Sequence, residues 1–156
     1  MELEWAEYDA EACSVARAVN VLGDRWTVLV LREIFNGVRR FDDIQHHIGV
    51  SRSVLAARLA NLLDLGILVR QPYREPGDRE RHEYRLTEMG YDLRPVLIAL
   101  MDFGDKWLSD DGPPIIYRHA GCGAHVTTAI VCDEGHRITR GRELVVEPGP
   151  GARAVA

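Results

Sequence analysis

The chain has 156 residues, 46% of them apolar and 28% charged, with a formal net charge of −5; that is enough sequence to bury one core and carry a small appendage. No stretch of about 18 uncharged apolar residues occurs, as a membrane-spanning helix needs, and the opening MELEWAEYDAEAC is acidic where a secretory signal is basic and then apolar. A soluble cytoplasmic protein with no membrane partner is therefore expected. Three cysteines do not make a disulfide framework, and the negative total excludes a uniformly basic coat without excluding a local basic surface.

In chain order, residues 9–21 and 24–35 read as two helices separated by Gly23, with Asp24 placed to cap the second. That second helix is apolar nearly all round, through Trp26, Leu29, Val30, Ile34 and Phe35, as suits a helix at the centre of a small domain. Asn36-Gly37 closes it. A short helix over residues 40–47 follows, and then a tight turn leads to Ser51, the N-cap of a helix over residues 52–65 that Gly66 stops. Leu55, Leu59 and Leu62 form one stripe of this helix, and Ser53, Ala56, Ala57 and Ala60 form the opposite face. Small residues on an outer face let a helix approach another surface closely.

Residues 67–73 and 82–86 are β-rich runs joined by a charged Pro-Gly turn, a hairpin signal. Thr87 caps a long amphipathic helix that carries Leu93, Val96, Leu97, Leu100, Met101, Trp107 and Leu108 and ends at Asp110; Pro95 within it marks a kink or a late start. Beyond Pro113-Pro114, residues 113–146 read as a small β-rich extension, and residues 147–156, rich in Pro, Gly and Ala, as a disordered tail.

Charge is not spread evenly. Residues 1–35 carry three basic and seven acidic groups (−4), residues 36–85 nine and seven (+2), residues 86–112 two and six (−4), and residues 113–156 five and four (+1). Eighteen of the 19 basic residues are Arg, with Lys106 the exception, and the planar guanidinium suits phosphate and guanine. The element order and the basic middle make the plan of a winged helix-turn-helix domain over residues 9–110, mainly α with a β-hairpin wing. In such a plan the helix after the turn enters the major groove and the hairpin reaches flanking DNA.

Cys13, then Leu22-Gly-Asp-Arg-Trp-Thr-Val-Leu-Val-Leu-Arg32, Gly37-Val-Arg-Arg-Phe-Asp-Asp-Ile44, Ile48-Gly-Val-Ser-Arg-Ser-Val-Leu-Ala-Ala-Arg-Leu59, Leu65-Gly-Ile-Leu-Val-Arg70 and Tyr84-Arg-Leu-Thr-Glu-Met-Gly90 occur in that order and spacing. Together they closely resemble the HxlR-type transcriptional regulators, relatives of the MarR group. The resemblance implies a homodimeric regulator of double-stranded DNA, with the first helix and the long helix after the wing forming the dimer interface. It also implies a redox-sensing thiol at Cys13, for which the alternative is a buried structural cysteine.

Several residues follow from this plan as candidate DNA contacts. Arg52 and Ser53 stand where the helix enters the groove, Ala56 and Ala57 permit close approach or touch a thymine methyl, and Ser51 caps the helix and offers a phosphate ligand. Arg39 and Arg40 precede the short helix, and Arg74, Arg79 and Arg81 belong to the wing. Arg58, on the flank of the inner stripe, is either a DNA contact or a structural ion-pair partner. In the extension, His119 and Cys122 are spaced H-x2-C and Cys132 and His136 C-x3-H, pairs that suit a tetrahedral zinc site; the alternative is a β-meander with incidental Cys and His. The expected function is a dimeric repressor or activator on a pseudo-palindromic operator, answering a small-molecule effector or redox cue. The alternative is a winged-helix protein-interaction module that no longer binds DNA. No nucleophile elbow or phosphate loop points to an enzyme.

Overall fold

The computed structural model describes residues 7–153. The acidic opening up to residue 6 and the last three residues of the expected tail lie outside the described residues. The chain divides into two compact units, one spanning Leu22–Pro114 and the other made of the chain up to Val21 and from Ile115 onward.

The first of these holds the winged helix. Its central helix, α2 (Arg25–Phe35), is capped by Asp24, whose Oδ1 accepts from the backbone N–H groups of Trp26 and Thr27 at 3.0 and 3.1 Å. Thr27, Val30, Leu31, Glu33 and Ile34 are buried on it. Helix α3 (Phe41–Ile48) ends at Gly49, whose φ of 68° is the left-handed conformation that glycine adopts without a Cβ penalty. A three-residue turn, Gly49 to Ser51, then delivers the chain to α4 (Arg52–Asp64). As expected, Ser51 caps α4, accepting from Val54 N–H at 3.4 Å, and Leu55, Leu59 and Leu62 are fully buried.

The wing is an antiparallel pair, β1 (Leu68–Tyr73) and β2 (Arg81–Leu86), in register from Leu68 opposite Leu86 to Tyr73 opposite Arg81. A bridge from Arg40 to Glu83 and a hydrogen bond from Tyr84 N–H to the Arg39 carbonyl at 2.9 Å add the segment before α3 to the outer side of β2. That pairing ties the base of the wing to the entrance of the helix-turn-helix. After it, the single long helix of the sequence reading is two: α5 (Glu88–Tyr91), capped by Thr87, and α6 (Arg94–Trp107). Pro95 lies in the first turn of α6, where its missing N–H costs no helical hydrogen bond. The late start is thus the outcome at Pro95.

In the second unit, the helix expected over residues 9–21 is broken at Cys13, which is extended (φ −67°, ψ 124°). Asp9 caps only a 3₁₀ turn, Ala10–Ala12, and helix α1 runs Ser14–Leu22. The extension has strands of two residues each, β3 (Ile130–Val131) and β4 (Arg137–Ile138), paired antiparallel. Of the expected tail, residues 149–152 form a turn, and the Arg153 carbonyl accepts from Asp9 N–H at 2.9 Å. No helix among the described residues is long and apolar enough to cross a membrane.

Candidate nucleic-acid interface

Helix α4 presents two chemically opposite faces. Its leucines fill the core against α2, while Ser51, Arg52, Ser53, Ala56, Ala57 and Ala60 are all exposed. The outer face carries no side chain larger than Ser between positions 53 and 57 on that side, so the helix backbone approaches a flat partner without obstruction. Arg52 is the first residue of the helix, whose N-terminus is its positive end.

Around that terminus the structure gathers the arginines. Arg40, Phe41, Asp42, Asp43, Arg52, Tyr73, Arg81 and His82 line one shallow cavity of about 220 Å³, where the starts of α3 and α4 meet the wing. Arg52 Nη1 donates to Asp42 Oδ1 at 2.8 Å and to Gln45 Oε1 at 3.4 Å, and its guanidinium lies 4.7 Å from the Phe41 ring centroid. Arg40 is held in the same manner, by an ion pair to Glu75 at 2.7 Å and by the Tyr73 ring at 4.3 Å. The hydrogen bond that Arg40 donates to Glu75 raises the pKa of its guanidinium above the ordinary arginine value, against a smaller opposing effect of burial.

The remaining candidates separate into two groups. Arg39 contributes its carbonyl to the wing pairing, and neither Arg39, Arg74, Arg79 nor Arg81 has an ion-pair partner among the described residues. Arg74 and Arg79 lie in the connection between the strands, and Arg81 opens β2. Arg58 differs: its Nε is buried and stands 2.9 Å from Asp24 Oδ1, without the alignment of a hydrogen bond. It closes on the carboxylate that caps α2, which is the ion-pair alternative of the sequence reading.

A buried carboxylate escaped the sequence reading altogether. Glu33 is 2% exposed, with Arg32 Nε 2.9 Å from Oε1 and His47 Nδ1 2.5 Å from Oε2. It joins α2 to the end of α3, and so fixes the first helix of the helix-turn-helix on the core. The one signal was an acidic residue at a helical position flanked by core residues Val30, Leu31 and Ile34.

Outside this surface, Cys13 is half-buried and its thiol is free. His119 Nδ1 lies 3.2 Å from Cys122 Sγ, and Cys132 Sγ lies 3.5 Å from His136 Nδ1. The two pairs form separately; among the described residues no three metal-ligating side chains converge. A tetrahedral ion needs four donors about one point, so the arrangement does not fit the zinc site that the spacing predicts.

Comparison with known proteins agrees with this geometry. A family model for the HxlR-like helix-turn-helix matches residues 21–112. The uncharacterised HTH-type transcriptional regulator MT3179 of Mycobacterium tuberculosis is 47% identical over 146 residues, 92% of this chain and 90% of that protein. Among solved structures, PA1607, a candidate transcription factor, superimposes with a TM-score of 0.77 at 30% identity, covering 90% of this chain and 97% of that one. The reduced form of the transcriptional regulator YodB of Bacillus subtilis superimposes with a TM-score of 0.52 at 30% identity, over 62% of this chain and 95% of that one. The match extends over both the helix-turn-helix and the wing, and the chain belongs to the HxlR-like helix-turn-helix family of transcriptional regulators.

Proposed function

We propose that the protein acts as a homodimer on a pseudo-palindromic operator, each protomer laying α4 in the major groove and its wing on flanking DNA. The observation that carries this reading is the outer face of α4, where Ser53, Ala56 and Ala57 are exposed beside Arg52 while the opposite leucines are buried. A helix so divided is fixed on its own domain and unobstructed toward a groove about 12 Å wide. Arg74, Arg79 and Arg81, with no carboxylate partner among the described residues, supply the wing's phosphate contacts, and Arg39 and Ser51 grip the backbone beside the groove, while Arg40, paired with Glu75, braces the start of α3 against the wing.

Dimerisation is supported by α6. Val96, Leu100, Phe103 and Trp107 recur at spacings of four, three and four along it, all exposed, with Trp107 at 65%. Val15 and Val19 are likewise exposed, one turn apart on α1. Apolar stripes of this kind are found where helices pair between protomers. Regulation by a small molecule or a redox signal acts on the same assembly. Cys13 stands at the entrance of α1, and the neighbour YodB is known in a reduced form.

Selection of bound sequences from random DNA by the purified full chain tests the proposal. It should enrich a two-fold-related motif with half-sites about 10 base pairs apart, one turn of the duplex. A pool with no enriched sequence would overturn the DNA-binding reading, and a single unpaired motif would overturn the dimer.

A further inference from the structure

The way Arg52 is held points to a particular base. An Arg guanidinium has two edges able to make paired hydrogen bonds, and one of its end nitrogens, Nη1, is taken by Asp42 at 2.8 Å and Gln45 at 3.4 Å. The Phe41 ring, 4.7 Å away, backs the plane of the group. Its other edge, Nε with Nη2, has no partner among the described residues, and the side chain is 68% exposed. That edge is therefore fixed in direction and empty, at the first residue of α4.

Two acceptors match such an edge in a DNA complex: a phosphate, and the O6 and N7 pair of guanine. The neighbouring charge separates them. Asp42 is itself 70% exposed and sits directly against the guanidinium, so a phosphate brought to the free edge also meets a carboxylate of its own sign. The neutral edge of a base meets no such repulsion. Arg74 and Arg79, in contrast, have no ion-pair partner among the described residues and stand out on the wing, the arrangement that suits phosphate.

We infer that Arg52 reads a guanine in each half-site, and that Asp42 is a specificity-determining positioning residue which holds the guanidinium edge toward that base. This rests on the DNA-binding reading above and adds to it a base identity and a residue on α3. Asp42 does not touch the DNA in this arrangement; it acts through Arg52. Its removal should therefore change discrimination more than total affinity.

The test is a competition experiment with full-length protein on the enriched duplex and on derivatives in which each guanine is exchanged, one at a time, for adenine or 7-deazaguanine. Wild type should lose about ten-fold or more at one guanine per half-site, with either replacement, because both disturb the O6 and N7 pair. Arg52→Ala should lose that discrimination. Asp42→Asn should reduce it several-fold while binding unrelated duplex as well as wild type or better, since a negative charge is gone. In the Arg52→Ala background, Asp42→Asn should have no further effect at that guanine, a coupling that a merely structural role would not produce. Both side chains are largely exposed, so thermal melting should be unchanged in each variant. Full discrimination by Asp42→Asn, or an Arg52→Ala variant weakened equally on every duplex, would overturn the inference while leaving DNA binding in place. A wild-type protein that binds all duplexes alike would instead overturn the reading on which it rests.

Discussion

The unit Leu22–Pro114 and the unit that contains the C-terminal extension are held together by different physics. Every buried apolar side chain among the described residues, from Val30 to Tyr84, belongs to the first. In the second, Ile115, Ile116, Ile130, Val131, Leu144, Val145 and Val146 are all exposed, and local bonds define the chain's course. Arg118 Nη1 donates to the Gly123 carbonyl at 3.0 Å, and Glu143 Oε1 accepts from Arg140 N–H at 2.7 Å. A core fixes the direction of α4 to within the tolerance of packed side chains. Short turns fix only their own few residues. The part proposed to meet DNA in register is thus the part with a core.

This difference is broken most directly by deleting matching groups on its two sides. Leu59→Ala removes a fully buried side chain and should lower stability by about 2–5 kcal/mol, whereas Val131→Ala, at an exposed strand residue, should stay within about 0.5 kcal/mol. Chemical denaturation of both variants checks this, and equal losses would abolish the contrast. Next in size is Gly90→Ala. An added Cβ would meet the Ile67 carbonyl oxygen at 2.4 Å and Leu86 Cδ2 at 3.0 Å, and a backbone oxygen cannot step aside as a side chain does. A loss of about 1–3 kcal/mol is expected from such overpacking, read as a lower melting temperature.

Helix α6 sharpens the comparison because it lies in the core-bearing unit and yet buries none of its residues. Phe103→Ala should weaken self-association about ten-fold or more, as loss of a large apolar anchor does, without the stability loss of Leu59→Ala in the monomer. Sedimentation across a concentration series, with 17.5 kDa as the monomer mass, reads it. The smallest effect belongs to the wing. Arg79→Ala should weaken DNA binding similarly on all sequences and lower the slope of log affinity against log salt by about one per protomer. A titration at several salt concentrations shows it, and an unchanged slope would remove Arg79 from the interface.

How far the sequence disclosed all this depended on whether the deciding interaction was local. Asp24 and Ser51 cap the helices they were expected to cap, and Thr87 caps a helix at the expected place, though only the short α5, because a cap is a contact between residues two or three apart. The leucine stripe of α4 was legible from helical period alone. The break at Cys13 was not: Ala10 to Val21 continues a helical pattern, and Asp9 is as good a cap for a 3₁₀ turn as for a helix. The interruption between α5 and α6 was signalled by Pro95, which stands in the first turn of α6. Arg52 with Asp42, and Glu33 with His47, are joined through tertiary structure at separations of ten and fourteen residues. No periodicity encodes such pairs. The histidine and cysteine pairs of the extension were legible as pairs, His119 with Cys122 and Cys132 with His136, because each is joined by a turn of three or four residues; whether the two pairs meet is again a matter of tertiary structure, and among the described residues no three such side chains converge.

The central claim is that α4 and the wing form a surface for specific DNA. One binding series tests it most directly: wild type, Arg52→Ala and Arg79→Ala titrated against the selected duplex and a scrambled duplex across a range of salt. Wild type should prefer the selected duplex by about a thousand-fold or more at physiological salt. Arg52→Ala should narrow that preference, and Arg79→Ala should leave the preference while reducing the salt slope. Isotherms that are the same for all three proteins on both duplexes would contradict the account.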